Sequence, residues 1–297
     1  MLAREITVAL RGHWHTTYGM VPCVAHDDRN PSLRLRDGDK GLLVRCFAGC
    51  EPPAVLSELR RRGFLSGSTT VDEREIVEQL RERTDATARK AAGVRRGISA
   101  IRSGCRPLLG TPGEEYFRRR SIFSPHPAGL FYHPALQHPE LTATTPGIVA
   151  IVKDVGGRDL GIHRTFITTG GAKANVSKGK QRMALGPVSG GSVHLAPMAE
   201  EMAVCEGIET GRSYQDLYGV PTWAALSTSG LQTVALPDLP WARVVHIAMD
   251  LDSNRAGEKA ARVAAERFER EGREVRLDRP PLGCKDFNDA VTHHAAE

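Results

Sequence analysis

Four residues near the N-terminus have the types and the spacing of a metal-binding site. Cys23 and His26 enclose two residues, Cys46 and Cys50 enclose three, and nineteen residues separate the two pairs. Close pairs of soft ligands separated by an excursion of about 15–20 residues are typical of a tetrahedral Zn²⁺ site. We therefore predict one structural zinc ion bound by these four side chains, with ordinary buried cysteines as the alternative.

Acidic residues follow three predicted strands near the C-terminus. Because the carboxyl ends of parallel strands meet at one edge of a sheet, these groups should converge in space. A D-x-D spacing places two carboxylates on the same side of an extended segment, and such hard oxygen ligands suit Mg²⁺ or Mn²⁺. A glutamate beside that metal could transfer a proton. Capping of a helix explains one such acid, but not three groups. The residues are Glu206, Asp250, Asp252, Asp286 and Asp289.

The elements that must position these acids alternate between strand and helix over the last hundred residues. This alternation predicts a parallel sheet with right-handed crossovers. The predicted strands cover residues 202–205, 221–226, 244–249 and 274–277, and the predicted helices cover residues 208–217 and 256–270.

The rest of the chain divides into regions of different composition. A small hairpin and a helix are predicted around the zinc ligands, a Ser/Gly/Thr linker and an exposed helix follow, and a second hairpin is predicted in the middle region. The first hairpin covers residues 32–36 and 42–45, and the helix after it covers residues 53–62. The linker covers residues 66–70 and the exposed helix covers residues 71–106. The second hairpin covers residues 148–155 and 161–168. We predict a multidomain α/β and α+β protein with a zinc-ribbon-like β domain, a helical linker, a mixed α/β middle lobe and a C-terminal domain whose mostly parallel sheet is flanked by helices. The predicted boundaries are 1–65, 66–106, 107–197 and 198–297.

Charge is spread unevenly along the chain. The net charge is +5, but the residues from Met198 onward carry 11 Lys and Arg against 17 Asp and Glu, and the preceding residues carry a net +11. A strongly basic region is the electrostatic footprint of a polyanion partner. The acidic region beside it would repel nucleic acid unless its carboxylates bind cations.

The N-terminal cysteine and histidine pattern resembles the CHC2-type zinc-binding domain of bacterial and phage DNA primases. The resemblance includes the C-x2-H pair, the later cysteine pair and the segment Pro31-Ser32-Leu33 between them. The chain departs from this family in having three residues, rather than two, inside the second pair. The resemblance implies that this domain helps to bind the template.

The C-terminal acids resemble the motifs of a Toprim domain, a fold found in primases, topoisomerases and some nucleases. The motifs are Glu206-Gly207, Asp250-x-Asp252 followed by Ala256-Gly257, and Lys285-Asp286. The resemblance implies that Glu206 is the acid/base, that Asp250 and Asp252 bind Mg²⁺ or Mn²⁺, and that Asp286 and Asp289 are candidates for a second metal. The middle region is similar to the segment that precedes Toprim in plasmid and phage primases. This similarity implies nucleotide or DNA contacts from His163, Arg164, Lys173, Lys178 and Lys180, with a solvated basic loop as the alternative for the lysines. Lys285 is a further candidate.

Together these features predict a DNA primase that makes RNA primers from ribonucleoside triphosphates on single-stranded DNA. A Toprim nuclease and a non-catalytic DNA-binding accessory protein are the alternatives. A topoisomerase would need a nucleophilic tyrosine in a further large domain, and the five tyrosines show no such setting. No phosphate-binding loop of a helicase motor occurs, so a replicative helicase is expected from another protein or from a C-terminal part outside these residues. With no signal peptide and no apolar run of about 20 residues, we expect a cytoplasmic protein without a membrane partner.

Overall fold

The computed structural model describes residues 2–28, 30–38, 41–65, 73–251 and 255–294, with side chains given for these residues except 73–83 and 294. The chain forms two compact units, Met1–Arg83 and Thr84–Glu297. Among the described helices, none has both the length and the apolar character needed to cross a membrane.

In the described residues up to 65, the first unit is a four-stranded antiparallel sheet with two helices. The strands are ordered β1-β2-β3-β4, and the last two form the hairpin predicted from the sequence. Leu33 and Leu35 alternate with more exposed residues along β3 and pack into a core with Val55 and Leu59 of the second helix. The elements are α1 (Leu2–Ala9), β1 (His13–Trp14), β2 (Gly19–Val21), β3 (Leu33–Gly38), β4 (Gly41–Cys46) and α2 (Pro52–Arg61).

The second unit begins with helices and an antiparallel sheet ordered β5-β6-β7-β8. The hairpin predicted around Gly156-Gly157 is confirmed: its two strands pair antiparallel, and Gly157 has a φ of 83° in the turn, a conformation that favours glycine. The elements are α3 (Glu73–Ser103), which begins in the first unit, α4 (Pro112–Arg118), β5 (Leu130–Leu136), β6 (Thr145–Lys153), β7 (Asp159–Phe166) and β8 (Arg182–Leu185).

The C-terminal sheet is parallel except at one edge, as predicted. Its order is β13-β12-β10-β11-β9, and β9 pairs antiparallel with β11 although it lies in the segment assigned to the middle lobe. Helices α5 and α7 follow β10 and β12. The elements are β9 (Val193–His194), β10 (Glu201–Cys205), α5 (Ile208–Tyr218), β11 (Thr222–Ala224), α6 (Thr228–Thr233), β12 (Val244–Ala248), α7 (Ala256–Arg270), β13 (Glu274–Asp278) and α8 (Phe287–His294).

One buried cluster joins the two sheets of the second unit. It combines Tyr116 of α4 and Ile148 of β6 with Cys205 of β10 and Ile208 of α5. Burial of apolar surface between these elements fixes their relative position. The middle region can therefore present side chains at the carboxyl edge of the parallel sheet.

Candidate active site and metal-binding group

The four predicted zinc ligands lie together in the first unit. One ligand atom from each of Cys23, His26, Cys46 and Cys50 lies within 4.8 Å of every other. His26 Nδ1 is 3.1 Å from Cys50 Sγ and 3.9 Å from Cys46 Sγ. A Zn–S bond of about 2.3 Å places tetrahedral ligands roughly 3.8 Å apart, so this soft Cys₃His donor set fits a zinc ion.

Asp28 supports this metal-binding group from outside the donor set. Its carboxylate accepts hydrogen bonds from the Cys23 amide at 2.7 Å and from the Ser32 hydroxyl at 2.5 Å, and it lies 3.8 Å from His26 Nε2. The Ser32 hydroxyl holds the pKa of Asp28 down to about 2, with the Cys23 amide as the next cause. The two hydrogen bonds thus hold the Asp28 carboxylate near Nε2 of His26, whose Nδ1 is the nitrogen close to Cys50.

The thiol environments differ within the group. Burial raises the pKa of Cys23 to about 11. Burial also opposes ionisation of Cys46, but the backbone N–H groups of Cys50 and Ala48 outweigh it and lower the pKa of Cys46 to about 6. Amide groups directed at the Cys46 sulfur therefore stabilise the thiolate, the form that binds a metal.

The predicted acidic site is a pocket at the carboxyl edge of the parallel sheet. Glu206 directly follows β10, Asp250 lies just beyond β12, and Asp286 precedes α8; all three line one cavity of about 110 Å³. The structure thus brings together acids from three separate segments. Asp252 lies outside the described residues.

Close backbone approaches hold Asp250 at this edge. The Thr210 hydroxyl donates to Asp250 Oδ1 at 3.1 Å. A Cβ atom on Gly257 would lie 2.4 Å from the Asp250 carbonyl oxygen, so only glycine permits this contact. The Leu251 amide donates to the Lys285 carbonyl at 2.7 Å, which ties the loop after β12 to the loop before α8.

The loop before α8 places Asp286 in the pocket lining, whereas Asp289 forms hydrogen bonds within the loop itself. The Asp289 amide donates to Asp286 Oδ1 at 2.8 Å, and Asp289 Oδ2 accepts from the Lys285 amide at 3.2 Å. Burial raises the pKa of Asp286, and the neighbouring Asp289 and Glu209 carboxylates raise it further. Asp289 is not among the residues that line the pocket.

Three cations from the middle region line the same pocket. Lys173 was predicted as a phosphate-binding residue, whereas Arg120 and Arg182 were not singled out for this role. Arg182 begins β8 in the same basic stretch as Lys173, whereas no local pattern marks Arg120, which follows α4. A lining that combines carboxylates with cations allows the pocket to bind a phosphate together with a divalent cation.

Glu209, also missed by the sequence analysis, is a fourth acid in the lining. Its side chain accepts a hydrogen bond from the Tyr116 hydroxyl and forms an ion pair with Arg182 at 2.9 Å. Burial raises the pKa of Glu209, but Arg182 and Tyr116 outweigh that effect and lower it to about 2. The sequence does contain one signal for this role, because Glu209 lies three residues after Glu206 at the start of a predicted helix.

The other predicted basic residues lie outside the pocket lining. His163 is buried in β7, and burial, with Arg182 as the next cause, lowers its pKa to about 4. Lys180 is exposed and pairs with Glu140 at 2.8 Å. Arg164 is half-buried in β7, and Lys178 and Lys285 are exposed.

Comparisons with family models match two segments of the chain. Residues 92–195 match a domain of unknown function (DUF7146), and residues 201–297 match the Toprim domain. The second match confirms the Toprim domain predicted from the acidic motifs. A comparison with curated proteins gives no match.

Comparison with solved structures gives matches to primases. The zinc-binding and RNA polymerase domains of Aquifex aeolicus primase match at 17% identity and a TM-score of 0.42, covering 98% of this chain and 79% of that chain. The primase fragment of the bacteriophage T7 primase-helicase matches at 17% identity and a TM-score of 0.41, with 63% and 67% covered. The E. coli primase catalytic core matches at 16% identity and a TM-score of 0.34, with 70% and 69% covered.

Proposed function

We propose that this protein is a DNA primase, which makes short RNA primers on a single-stranded DNA template by metal-dependent nucleotidyl transfer. The observation that carries the proposal is the pocket at the carboxyl edge of the Toprim sheet, where acids and cations face one cavity. The acids are Glu206, Glu209, Asp250 and Asp286, and the cations are Arg120, Lys173 and Arg182. This combination suits a nucleoside triphosphate, which needs charge neutralisation from both a metal and the protein.

In the proposed reaction, a ribose 3′-oxygen forms a bond to the α-phosphorus of an incoming nucleotide. The bond from that phosphorus to the bridging oxygen breaks, and pyrophosphate leaves. Glu206 accepts the proton of the attacking hydroxyl. Glu206, Asp250 and Asp252 would hold a catalytic Mg²⁺ or Mn²⁺ ion, which would supply charge neutralisation for the leaving group when bound.

The cations of the pocket have a separate proposed role. Arg120, Lys173 and Arg182 bind the triphosphate oxygens and orient the nucleotide against the acids. Asp286 is proposed as a ligand for a second metal, because its carboxylate faces the pocket and its neighbours include other acids. Asp289 is proposed to support the loop that presents Asp286.

The first unit is proposed to bind zinc at Cys23, His26, Cys46 and Cys50 and to contact the template. The close approach of the four donor atoms supports zinc binding, and the resemblance to the CHC2-type domain supports the template role. A separate replicative helicase is the proposed protein partner, because primer synthesis needs a template that has been opened into single strands.

The test is de novo synthesis from labelled ribonucleotides on single-stranded DNA with Mg²⁺ or Mn²⁺. We expect short products from the wild type, and a loss of about 10²–10⁴-fold in Glu206→Gln and in Asp250→Asn. Asp216→Asn is the matched control, because Asp216 is an exposed acid on α5 that does not line the pocket.

Two outcomes would contradict primer synthesis. Shortening of labelled DNA by the wild type, without RNA products and dependent on the same acids, would identify a nuclease. DNA binding without either reaction would identify a non-catalytic module. Full activity in both Glu206→Gln and Asp250→Asn would show that the reaction does not take place in this pocket.

A further inference from the structure

Glu209 differs from the other acids of the pocket in its surroundings. It lies in the first turn of α5, three residues after Glu206, and only 7% of its surface is exposed. Its Oε1 atom accepts both the Tyr116 hydroxyl and the Arg182 guanidinium. One oxygen is therefore committed to two protein donors, and this end of the carboxylate is held in place.

The partners of Glu209 form a chain from the protein interior to the pocket. Tyr116 is 1% exposed and packs edge-on against Phe117, so its hydroxyl is fixed. The Arg182 side chain at the other end is 40% exposed and lines the pocket. A guanidinium has five N–H donors, so an ion pair with one carboxylate oxygen leaves donors for a second anion.

We propose that Glu209 is a positioning residue: its carboxylate, oriented by Tyr116, holds Arg182 so that the guanidinium binds a phosphate of the incoming nucleoside triphosphate. This inference rests on one part of the proposed function, namely that the pocket binds a nucleotide. Holding the long arginine side chain in place before binding removes most of the entropy cost of ordering it on the ligand. Glu209 would thus act on nucleotide affinity through Arg182.

The test measures equilibrium binding of fluorescently labelled ATP by anisotropy in the presence of Mg²⁺, with no primer synthesis required. Arg182→Ala should weaken binding by about ten- to hundredfold, the loss of a charge-assisted contact. Glu209→Gln should weaken binding by about three- to tenfold, since Arg182 remains but is no longer held. Adding Glu209→Gln to Arg182→Ala should change affinity no further, because both act through one contact.

Tyr116→Phe provides a milder variant, because it keeps the ion pair and removes only one hydroxyl. It should weaken ATP binding in the same direction, and it decides the question if thermal denaturation shows that Glu209→Gln does not fold. Tyr214→Phe is the matched control. The Tyr214 hydroxyl also donates to a carboxylate, Asp278, at 2.5 Å, but neither residue lines the pocket. Its ATP affinity should equal that of the wild type.

Several results would overturn the inference. One is wild-type ATP affinity in both Glu209→Gln and Tyr116→Phe, and another is full additivity of Glu209→Gln with Arg182→Ala. A raised Mg²⁺ requirement in Glu209→Gln with unchanged affinity at saturating Mg²⁺ would make Glu209 a metal ligand instead. Failure of the wild type to bind ATP would also overturn it. ATP binding without primer synthesis would contradict only the proposed function.

Discussion

Gly257 stands where the start of α7 meets the backbone of Asp250, and an added methyl group there should damage the active site. A Cβ atom would lie 2.4 Å from the Asp250 carbonyl oxygen and 3.6 Å from the Asp250 Cβ. Since comfortable contacts between nonbonded heavy atoms begin at about 3.5 Å, Gly257→Ala must move the two backbones apart by roughly 1 Å. Asp250, the proposed metal ligand, moves with its backbone.

The size of the effect follows from two opposing contributions. Overpacking costs about 1–3 kcal/mol, whereas replacing a helical glycine by alanine returns up to about 1 kcal/mol. The net loss of about 1–2 kcal/mol should lower the Tm by about 2–8 °C for a unit of this size. A displacement of about 1 Å in a catalytic group can cost on the order of 10²-fold in rate, so primer synthesis should fall far more than stability does.

The same substitution at Gly93 is the matched control. Gly93 lies on an exposed part of α3, and a Cβ there meets nothing within 4 Å. Gly93→Ala should therefore keep or raise the Tm and leave primer synthesis unchanged. Tm is measured by circular dichroism and activity by incorporation of labelled ribonucleotides. Wild-type Tm and activity in Gly257→Ala would refute the reasoning.

Three further predictions concern zinc, salt and pH. Metal analysis should find about one zinc per chain, and Cys46→Ser should lose it and lower the melting temperature of the first unit; full zinc content in the variant would contradict the ligand set. Affinity for single-stranded DNA should fall steeply with salt concentration because phosphate contacts release counterions; a flat response would contradict the prediction that the basic region binds a polyanion. In the folded protein the pKa of His163 is about 4, whereas its ordinary value is 6.5, so the folded side chain stays neutral until the pH falls to about 4. The unfolded chain takes up the proton first, so stability should fall by about 2–3 kcal/mol as pH drops from 6.5 to 4. Urea unfolding should show less of this loss in His163→Gln, and an unchanged pH profile would contradict it.

The sequence by itself determined the features whose cause is local. Cys23 with His26, and Cys46 with Cys50, are placed in pairs by short turns, and the β3–β4 hairpin between them follows from alternating residues. The convergence of Glu206 and Asp250 was also predictable, because parallel strands joined by helices must place their carboxyl ends at one edge. Strand ends, unlike loop conformations, can be located from hydrophobic runs alone.

Only the tertiary structure decided which basic side chains reach the acids. Lys173, Lys178, Lys180 and Arg182 share one basic stretch, yet only Lys173 and Arg182 line the pocket, while Lys180 pairs with Glu140 on the surface. Periodicity shows which face an element buries, but it does not show which other element lies opposite. Because the facing element is unknown from the sequence, the hydrogen bond between Tyr116 and Glu209, 93 residues apart, could not be predicted. The pairing of the two-residue strand β9 with the C-terminal sheet could not be predicted either. Such contacts arise from the packing of the two sheets around one core, and no segment of the chain encodes that packing alone.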